Sequence, residues 1–293
     1  MQLYLDSAKL DEIKKLSSLG LIHGVTTNPS LIKIAAESMP DKPDLESYIK
    51  ELQKAFYGPL SVEVISTDRQ SMYREAMLIK EKFGMHNNNV VVKIPICTAK
   101  EMDDKNWDSG LEIIKSLSLH NIPVNTTLVL SPSQALLAAN AGAKYVSPFA
   151  GRLDDYLVKA YFPGTKRSKS DYFPREGMTA SNSKDVGTAI QRVIHGLPNY
   201  VNDDGTVSGV HLVGRIVTVL KNSNLDCKVL AASLRNPRQV VEMAEVGADI
   251  ATVDYNTIVA MAMHQVSCDG IRRFAQDTIE EYRKLFTASS QQP

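Results

Sequence analysis

The stretch VVVKIP, Val90 to Pro95, decides the fold, because it has the composition of a buried strand with one lysine in its interior. Three valines and Ile94 surround Lys93, and Pro95 closes the run. A continuous β-branched run of this kind is typical of a strand covered on both faces in a parallel sheet. The stretch therefore predicts a parallel α/β architecture that carries an amine inside it.

Lys93 itself has two interpretations. A lysine is almost never fully buried unless it is paired, and burial disfavours its charged form. A neutral amine in a dry pocket is a nucleophile that forms Schiff bases with carbonyl substrates. Alternatively, Lys93 lies at a strand end, where its ammonium reaches water or pairs with a carboxylate for structural reasons alone.

Length and composition indicate one enzyme-sized domain. The 293 residues suit a single α/β barrel, a fold that typically takes about 250 residues. The charges balance at 33 basic and 33 acidic residues, so neither nucleic acid nor a membrane surface is expected as a partner. Three cysteines without a CxxC pair, and a first strand that follows Met1 almost directly, predict a reduced, cytoplasmic protein.

Apolar strand-like runs alternate with helical patterns along the whole chain. The predicted strands are Leu3 to Asp6, Gly24 to Pro29 with its exit, Ser61 to Ile65, Val90 to Pro95, Pro123 to Leu128, Lys144 to Phe149, Val229 to Ser233 and Ala248 to Asp254. Eight such strands with helices between them predict an α/β fold of the (β/α)8 TIM barrel type. A doubly wound open sheet is the alternative, weakened because no GxGxxG or Walker loop follows a strand.

One interval departs from the even spacing. Lys159 to Gly209 separates the sixth and seventh strands by more than a loop and a helix, which predicts an insertion at about 161–209 within a single domain covering 1–293. Lys184 to Leu197 has a helical pattern there. Four basic residues precede it and either contact a phosphate or form a solvated loop: Lys166, Arg167, Lys169 and Arg175.

Polar residues interrupt or end most of the predicted strands. They are Asp6; Thr26, Thr27 and Asn28; Glu63; Lys93; Asn125 and Thr127; Ser147, with Arg152 just beyond its strand; and Ser233 with Arg235. The apolar Phe149 shares a side of the sixth strand with Ser147. Barrel enzymes build their sites at the carboxyl ends of the strands, so we expect these side chains to meet at one mouth. A lysine, two carboxylates and several hydroxyl and amide groups suit Schiff-base cleavage of a carbon–carbon bond in a ketose.

A metal site is not expected. The six histidines are scattered, without the HxH or HExxH spacing that brings ligands together. The cysteines are interpreted as small apolar residues rather than nucleophiles.

Taken in chain order, the motifs YLDSA, GVTTNPSLI, SVEV, VVVKIP, NTTL, YVSPFAGR and AASLRNPRQ resemble those of the transaldolase family. The resemblance covers nearly all of the chain except about Tyr161 to Gly209. It implies a (β/α)8 barrel, a fourth-strand lysine as Schiff-base nucleophile, sugar phosphates as substrates and no cofactor.

The resemblance also implies roles for individual residues. Lys93 would form the imine, Asp6 would be the general base of bond cleavage, and Glu63 with Thr127 would hold a proton-shuttling water. The substrate-binding residues would be Thr27, Asn28, Asn125 and Ser147 at the dihydroxyacetone hydroxyls, and Arg152, Ser233 and Arg235 at the phosphate. Phe149 would also belong to the substrate-binding set.

Two activities occur in the family. Transaldolases transfer a dihydroxyacetone unit from sedoheptulose 7-phosphate or fructose 6-phosphate to an aldose phosphate in the pentose phosphate pathway. Fructose 6-phosphate aldolases instead release dihydroxyacetone and glyceraldehyde 3-phosphate, and they typically carry glutamine and tyrosine where this chain has Glu63 and Phe149. Both residues favour the transferase. A catalytically silent sugar-phosphate binding barrel is the further alternative.

Two geometric expectations complete the sequence-based hypothesis. Lys93 should lie close to Glu63 and Asp6 without a full ion pair to either, since tight pairing favours the unreactive ammonium. Cys268 to Leu285 should form an amphipathic C-terminal helix, which packs either on its own barrel or on a neighbouring subunit of a homo-oligomer.

Overall fold

Eight parallel strands close into a barrel in simple chain order, and the last strand pairs with the first. The structure is a computed structural model that describes residues 1–39, 44–84, 89–100, 105–161, 171–172 and 206–287. The strands are β1 (Gln2–Asp6), β2 (Gly24–Thr26), β3 (Leu60–Glu63), β4 (Val90–Pro95), β5 (Val124–Val129), β6 (Tyr145–Pro148), β7 (Lys228–Ala231) and β8 (Ile250–Val253). The predicted (β/α)8 TIM barrel is confirmed.

Helices follow the strands, and most of them pack on the outside of the barrel. Within the described residues they are α1 (Leu10–Ser18), α2 (Pro29–Glu37), α3 (Leu45–Lys54), α4 (Arg69–Phe83), α5 (Ser109–Leu119), α6 (Pro132–Ala141), α7 (Ala150–Tyr161), α8 (Gly209–Asn222), α9 (Pro237–Glu245), α10 (Tyr255–Ala262), α11 (Gln265–Gln276) and α12 (Glu280–Thr287). Several begin at a side chain that accepts a first-turn N–H, as Asn28, Ser131 and Asp254 do. Such caps satisfy donors that have no partner inside the helix.

The two-residue period of the strands separates an outer from an inner set of side chains. Outward residues such as Val92 and Ile94 join the large core between barrel and helices. A separate, smaller cluster fills the inside of the barrel and consists of Tyr4, Val91, Tyr145, Leu230 and Ile250. The next inward residue along each of these strands lies two positions closer to the carboxyl end, where the mouth of the barrel is. The cluster therefore forms an apolar floor beneath the mouth.

Gly24 makes room for that floor. A Cβ at this position would lie 2.2 Å from the ring of Tyr4, which is far inside van der Waals contact. The bare backbone of β2 therefore lets a tyrosine ring fit inside the barrel. This ring and that of Tyr145 form the base of the interior.

The predicted insertion falls almost entirely on residues that the structure does not describe. The predicted helix Lys184 to Leu197 and the four basic residues before it lie outside the described residues, so both stay predictions. Tyr172, which is described, packs against the core and donates a hydrogen bond to Glu242 at 3.1 Å.

The C-terminal region differs from the prediction of one helix over Cys268 to Leu285. It forms two helices, α11 and α12, because the chain turns between Gln276 and Glu280. The Asp277 N–H bonds back to the carbonyl of Arg273, and the Thr278 hydroxyl donates to that of Phe274, which ends α11. No residue of α11 is buried. In the described ranges, no helix has the length and apolar character needed to cross a membrane.

Candidate active site

A polar pocket opens at the carboxyl ends of the strands, directly above the apolar floor. Its volume is about 130 Å³. It is lined by Asp6, Thr26, Asn28, Lys93, Ser147, Phe149, Arg152, Leu230, Ala232, Ser233 and Thr252. Eight of the residues singled out in the sequence therefore line one cavity, as expected for a barrel whose parallel strands all point the same way.

Lys93 lies at the base of this pocket with its side chain only 5% exposed. Its Nζ is 3.0 Å from Glu63 Oε2, and it also donates to the backbone carbonyl of Thr27 at 3.3 Å. The prediction that Lys93 avoids a full ion pair is wrong. Glu63 and Lys93 are directly paired residues on β3 and β4, so the barrel register places both side chains on the same inner face.

Asp6 faces the pocket from the end of β1. The Thr26 hydroxyl donates to its Oδ1 at 2.7 Å. Burial raises the pKa of the Asp6 carboxyl above its ordinary value; the Lys93 charge and the Thr26 hydrogen bond oppose this effect, and the Asp254 charge adds to it. Asp6 therefore holds a proton more readily than an exposed aspartate does.

Asn125 and Ser147 form a hydrogen-bonded unit within the barrel. The Ser147 hydroxyl donates to Asn125 Oδ1 at 2.7 Å, and Asn125 Nδ2 donates to Ser61 Oγ at 3.2 Å. Of the two predicted residues, Ser147 lines the pocket and Asn125 holds it in place. Ser61 is a member that the sequence analysis did not select.

Thr127 is fully buried, and its hydroxyl has no hydrogen-bond partner in the described part of the chain. The strand is irregular at this point, because Leu128 adopts a φ of 57° and Val129 then takes the place opposite Pro148. An unpaired hydroxyl in the interior costs free energy unless a water or a substrate oxygen binds it. Bulges of this kind often lie beside active sites.

The two threonines of GVTTNP, both expected at the mouth, take different positions. The Thr27 hydroxyl donates to the Ser61 carbonyl at 2.7 Å, so it is occupied by the backbone of β3. Thr26 and Asn28 line the pocket instead, because alternate residues of an extended strand share a face. Thr26 therefore belongs to the pocket wall, where its hydroxyl bonds Asp6, and the role of Thr27 at a substrate hydroxyl stays a prediction.

Phe149 and Arg152 form the wall beyond β6. The Arg152 guanidinium carbon lies 5.1 Å from the centre of the Phe149 ring, and Lys93 Nζ lies 5.8 Å from it. Both distances suit cation–π attraction. The ring thus separates the buried ammonium from an exposed guanidinium at the rim.

Ser233 and Arg235 follow β7. Ser233 lines the pocket and has a φ of 60°, a conformation that non-glycine residues rarely adopt and that is common at binding sites. Arg235 lies behind the wall, where its guanidinium pairs with Asp155 and its backbone N–H donates to Gln239 Oε1 at 2.8 Å. Arg152 is therefore the arginine of the described pocket wall.

Like the apolar Leu230 and Ala232, the polar Thr252 lines the pocket and was not selected from the sequence. Its hydroxyl lies 2.5 Å from that of Thr26. The signal was available, because Thr252 is the only polar residue between Ile250 and Val253 and has the inward phase of Ile250. No group of three or more His, Cys, Asp or Glu residues that could hold a metal ion occurs among the described residues.

Comparison with known proteins identifies the family to which the chain belongs. The family described as Transaldolase/Fructose-6-phosphate aldolase matches residues 3–292. The chain belongs to this family. It is therefore an enzyme of the transferase or aldolase type, from a family that acts on sugar phosphates in carbohydrate metabolism.

Several relatives match along nearly their whole length. A probable transaldolase of Carboxydothermus hydrogenoformans is 37% identical over 94% of this chain and 97% of its own. A probable transaldolase of a Thermoanaerobacter species is 36% identical over 94% of this chain and 96% of its own. A probable transaldolase of Kosmotoga olearia is 35% identical over 97% of this chain and 98% of its own. A mandelate oxidase structure matches with a TM-score of 0.46 and 14% identity over 93% of this chain and 69% of its own, too distant to carry an argument.

Proposed function

We propose that this protein is a transaldolase that moves a dihydroxyacetone unit from a ketose phosphate to an aldose phosphate through a Schiff base on Lys93. The observation that carries the proposal is a lysine buried at the base of a polar pocket with a carboxylate 3.0 Å from its amine. A site that only binds sugar phosphates has no need for a buried amine. The names of the relatives agree with this activity.

The first step requires a free amine. Glu63 is within hydrogen-bond reach of the Lys93 ammonium and can take its proton when a ketose displaces water from the pocket. The amine then attacks the ketose carbonyl, and the carbinolamine loses water to give the iminium. The unpartnered Thr127 hydroxyl is suited to hold the water or hydroxyl group that leaves.

Asp6 is suited to the second step. Its raised pKa and its position in the pocket wall favour removal of the proton from the substrate hydroxyl as the adjacent carbon–carbon bond breaks. The bonding electrons pass into the iminium and give an enamine, and an aldose phosphate departs. The enamine attacks the acceptor aldehyde, Asp6 returns the proton, and hydrolysis frees the product and Lys93.

Different residues of the pocket bind the two ends of the substrate. Asn28 and Ser147 offer amide and hydroxyl groups to the dihydroxyacetone end, and Asn125 holds Ser147 in position. Arg152 and Ser233 are at the rim, where a phosphate would reach them, and a guanidinium binds phosphate oxygens in two-point contacts. Arg235, paired with Asp155, would support the loop that presents Ser233.

The proposal is tested by a trapping experiment and a paired assay. Borohydride added with fructose 6-phosphate should leave one reduced adduct on Lys93, detected by peptide mass spectrometry. Fructose 6-phosphate should then turn over only when erythrose 4-phosphate is present as acceptor. No adduct, or an adduct on another lysine, would contradict the Schiff base. Release of dihydroxyacetone at a similar rate without acceptor would assign the aldolase activity instead.

A further inference from the structure

Three side chains from three strands form a continuous hydrogen-bonded chain at one side of the pocket. Thr26 Oγ1 of β2 donates to Asp6 Oδ1 of β1 at 2.7 Å, and Thr252 Oγ1 of β8 lies 2.5 Å from Thr26 Oγ1. β1 lies between β2 and β8 in the barrel, so the two threonines meet across the strand that carries Asp6. All three side chains line the pocket.

The direction of the chain follows from proton counting. A threonine hydroxyl carries one proton, and Thr26 gives its proton to the Asp6 carboxylate. Thr26 must therefore accept from Thr252, which fixes the order of donation as Thr252 to Thr26 to Asp6. Both threonines are buried, at 3% and 1% exposure, so little water competes for these bonds.

We propose that Thr252 is a positioning residue that acts on Asp6 through Thr26 and fixes which carboxylate oxygen faces the substrate. With Oδ1 held by Thr26, Oδ2 is the oxygen that can reach a substrate hydroxyl. A hydroxyl that both accepts and donates has little freedom to rotate, so Thr252 determines where the Thr26 proton points. This inference rests on the proposed function, in which Asp6 is the general base.

Other features around Asp6 do not replace this support. Thr26 is its hydrogen-bond partner within the described residues, while Lys93 from β4 and Asp254 beyond β8 act on it through their charges. The Asp254 carboxylate is itself occupied, because it accepts from the N–H and the hydroxyl of Thr257. Orientation of the Asp6 carboxylate therefore depends on the threonine chain.

The test compares Thr252→Val, which keeps the shape of the side chain and removes the hydroxyl, with Thr252→Ser, which keeps the hydroxyl. Thr126→Val is the matched control, since Thr126 is a fully buried threonine on β5 that faces away from the pocket and has no hydrogen-bond partner among the described residues. For each protein, kcat for transfer is measured against pH, together with the yield of the borohydride adduct on Lys93.

We expect Thr252→Val to lower kcat about 10-fold, because a misplaced catalytic group loses one to two orders of magnitude in rate. The adduct yield should stay at the wild-type level, since imine formation does not use Asp6. The acidic limb of the kcat profile should shift to higher pH, because a carboxylate that loses a well-directed donor is protonated more easily. Thr252→Ser and Thr126→Val should behave like the wild type.

Unchanged kcat and pH profile in Thr252→Val would overturn the inference, as would a Thr252→Ser variant that is equally impaired. A parallel loss of adduct and kcat would also overturn it, because a general disturbance of the pocket would then explain the effect. A wild-type protein that forms no adduct would instead overturn the proposed function itself, so the two failures are distinguishable.

Discussion

Glu63 Oε2 lies 3.0 Å from Lys93 Nζ inside the barrel, so the proposed nucleophile and its nearest base form an ion pair in the resting structure. Pairing makes the burial of both charges tolerable, since an isolated ammonium in the interior would cost several kcal/mol. The same contact provides a route for the proton that must leave before the amine can react. Structural support and proton acceptance are therefore two consequences of one register pair, Glu63 opposite Lys93.

The energetic coupling of this pair is the first prediction. Glu63→Gln should be destabilised because it leaves the Lys93 ammonium without its counter-charge, and Lys93→Met should be destabilised because it leaves the carboxylate unpaired. The double variant removes both charges and should be more stable than the sum of the single effects predicts. We expect a coupling energy of about 1 to 3 kcal/mol, reduced by the partial exposure of Glu63. Urea unfolding of the four proteins measures it, and additive losses would contradict the prediction.

Kinetics of the same variant separate the roles of Glu63. If Glu63 takes the amine proton, Glu63→Gln should slow the appearance of the borohydride adduct in a single turnover while its final yield is maintained. Lys93→Met should give no adduct at any time. An adduct that forms at the wild-type rate in Glu63→Gln would leave Glu63 with a structural role only.

Asp6 gives a prediction about pH and stability. Burial raises its folded-state pKa above the ordinary value of 3.8, so the folded protein holds this proton more tightly than the unfolded chain does. The resulting contribution to stability is fully present below the ordinary value and is lost as the pH rises through the folded-state pKa. At neutral pH the ionised carboxylate is therefore a cost, and Asp6→Asn should be more stable than the wild type.

The advantage of Asp6→Asn should shrink as the pH is lowered toward the ordinary value, as thermal unfolding at a series of pH values would show. The same variant should form the Lys93 adduct and fail to cleave the substrate bond. A stability gain that is independent of pH would mean that burial of the Asp6 charge is not its cause. Near-normal transfer by Asp6→Asn would remove Asp6 from the mechanism.

The β4 stretch shows how much could be predicted from the sequence. The apolar run of VVVKIP identified a buried strand from local pattern alone. The lysine that interrupts this run was expected at the mouth because barrel enzymes build their sites at the carboxyl ends of the strands. The ion pair with Glu63 could not be foreseen in the same way. It depends on the register between β3 and β4, which is set by the closure of the whole barrel rather than by either strand.

The two threonines of β2 and the contact of Thr252 illustrate a related difficulty. Two adjacent threonines at the end of β2 have the same composition, and only the exact phase of the strand decides which one faces the pocket. Thr252 is the only polar residue between Ile250 and Val253 and has the inward phase, so the strand pattern could have identified it as a pocket residue. Its partner Thr26 lies 226 positions earlier, and such a contact has no local signal.

Gly151 provides a prediction about the phosphate side of the pocket. A Cβ at Gly151 would lie 2.2 Å from the Ser233 carbonyl oxygen and 2.3 Å from Arg235 Nε, so any side chain there must displace the loop after β7. Gly151→Ala should therefore raise KM for phosphorylated substrates several-fold. The adduct formed on Lys93 with unphosphorylated dihydroxyacetone should be unaffected, since that end of the pocket lies on other strands.

Gly270→Ala is the control for this substitution. Gly270 lies in α11, and nothing within 4 Å would meet an added Cβ. The same chemical change should leave KM unaltered and stabilise the helix slightly, by about 0.5 to 1 kcal/mol at most. Equal KM values in Gly151→Ala and the wild type would show that the β7 loop does not contact the phosphate.

Arg152 carries the last prediction, because its guanidinium is at the pocket rim, lies 5.1 Å from the Phe149 ring and is largely exposed. Arg152→Leu should raise KM for fructose 6-phosphate about 10-fold or more, since a charge-assisted bond to phosphate contributes about 1.5 to 3 kcal/mol. Arg152→Lys should restore only part of the loss, because an ammonium cannot make the two-point contact of a guanidinium. Arg272→Leu, at an exposed position of α11, controls for the loss of a surface charge. Saturation kinetics at two salt concentrations measure the effect, and an unchanged KM in Arg152→Leu would move the phosphate site away from this rim.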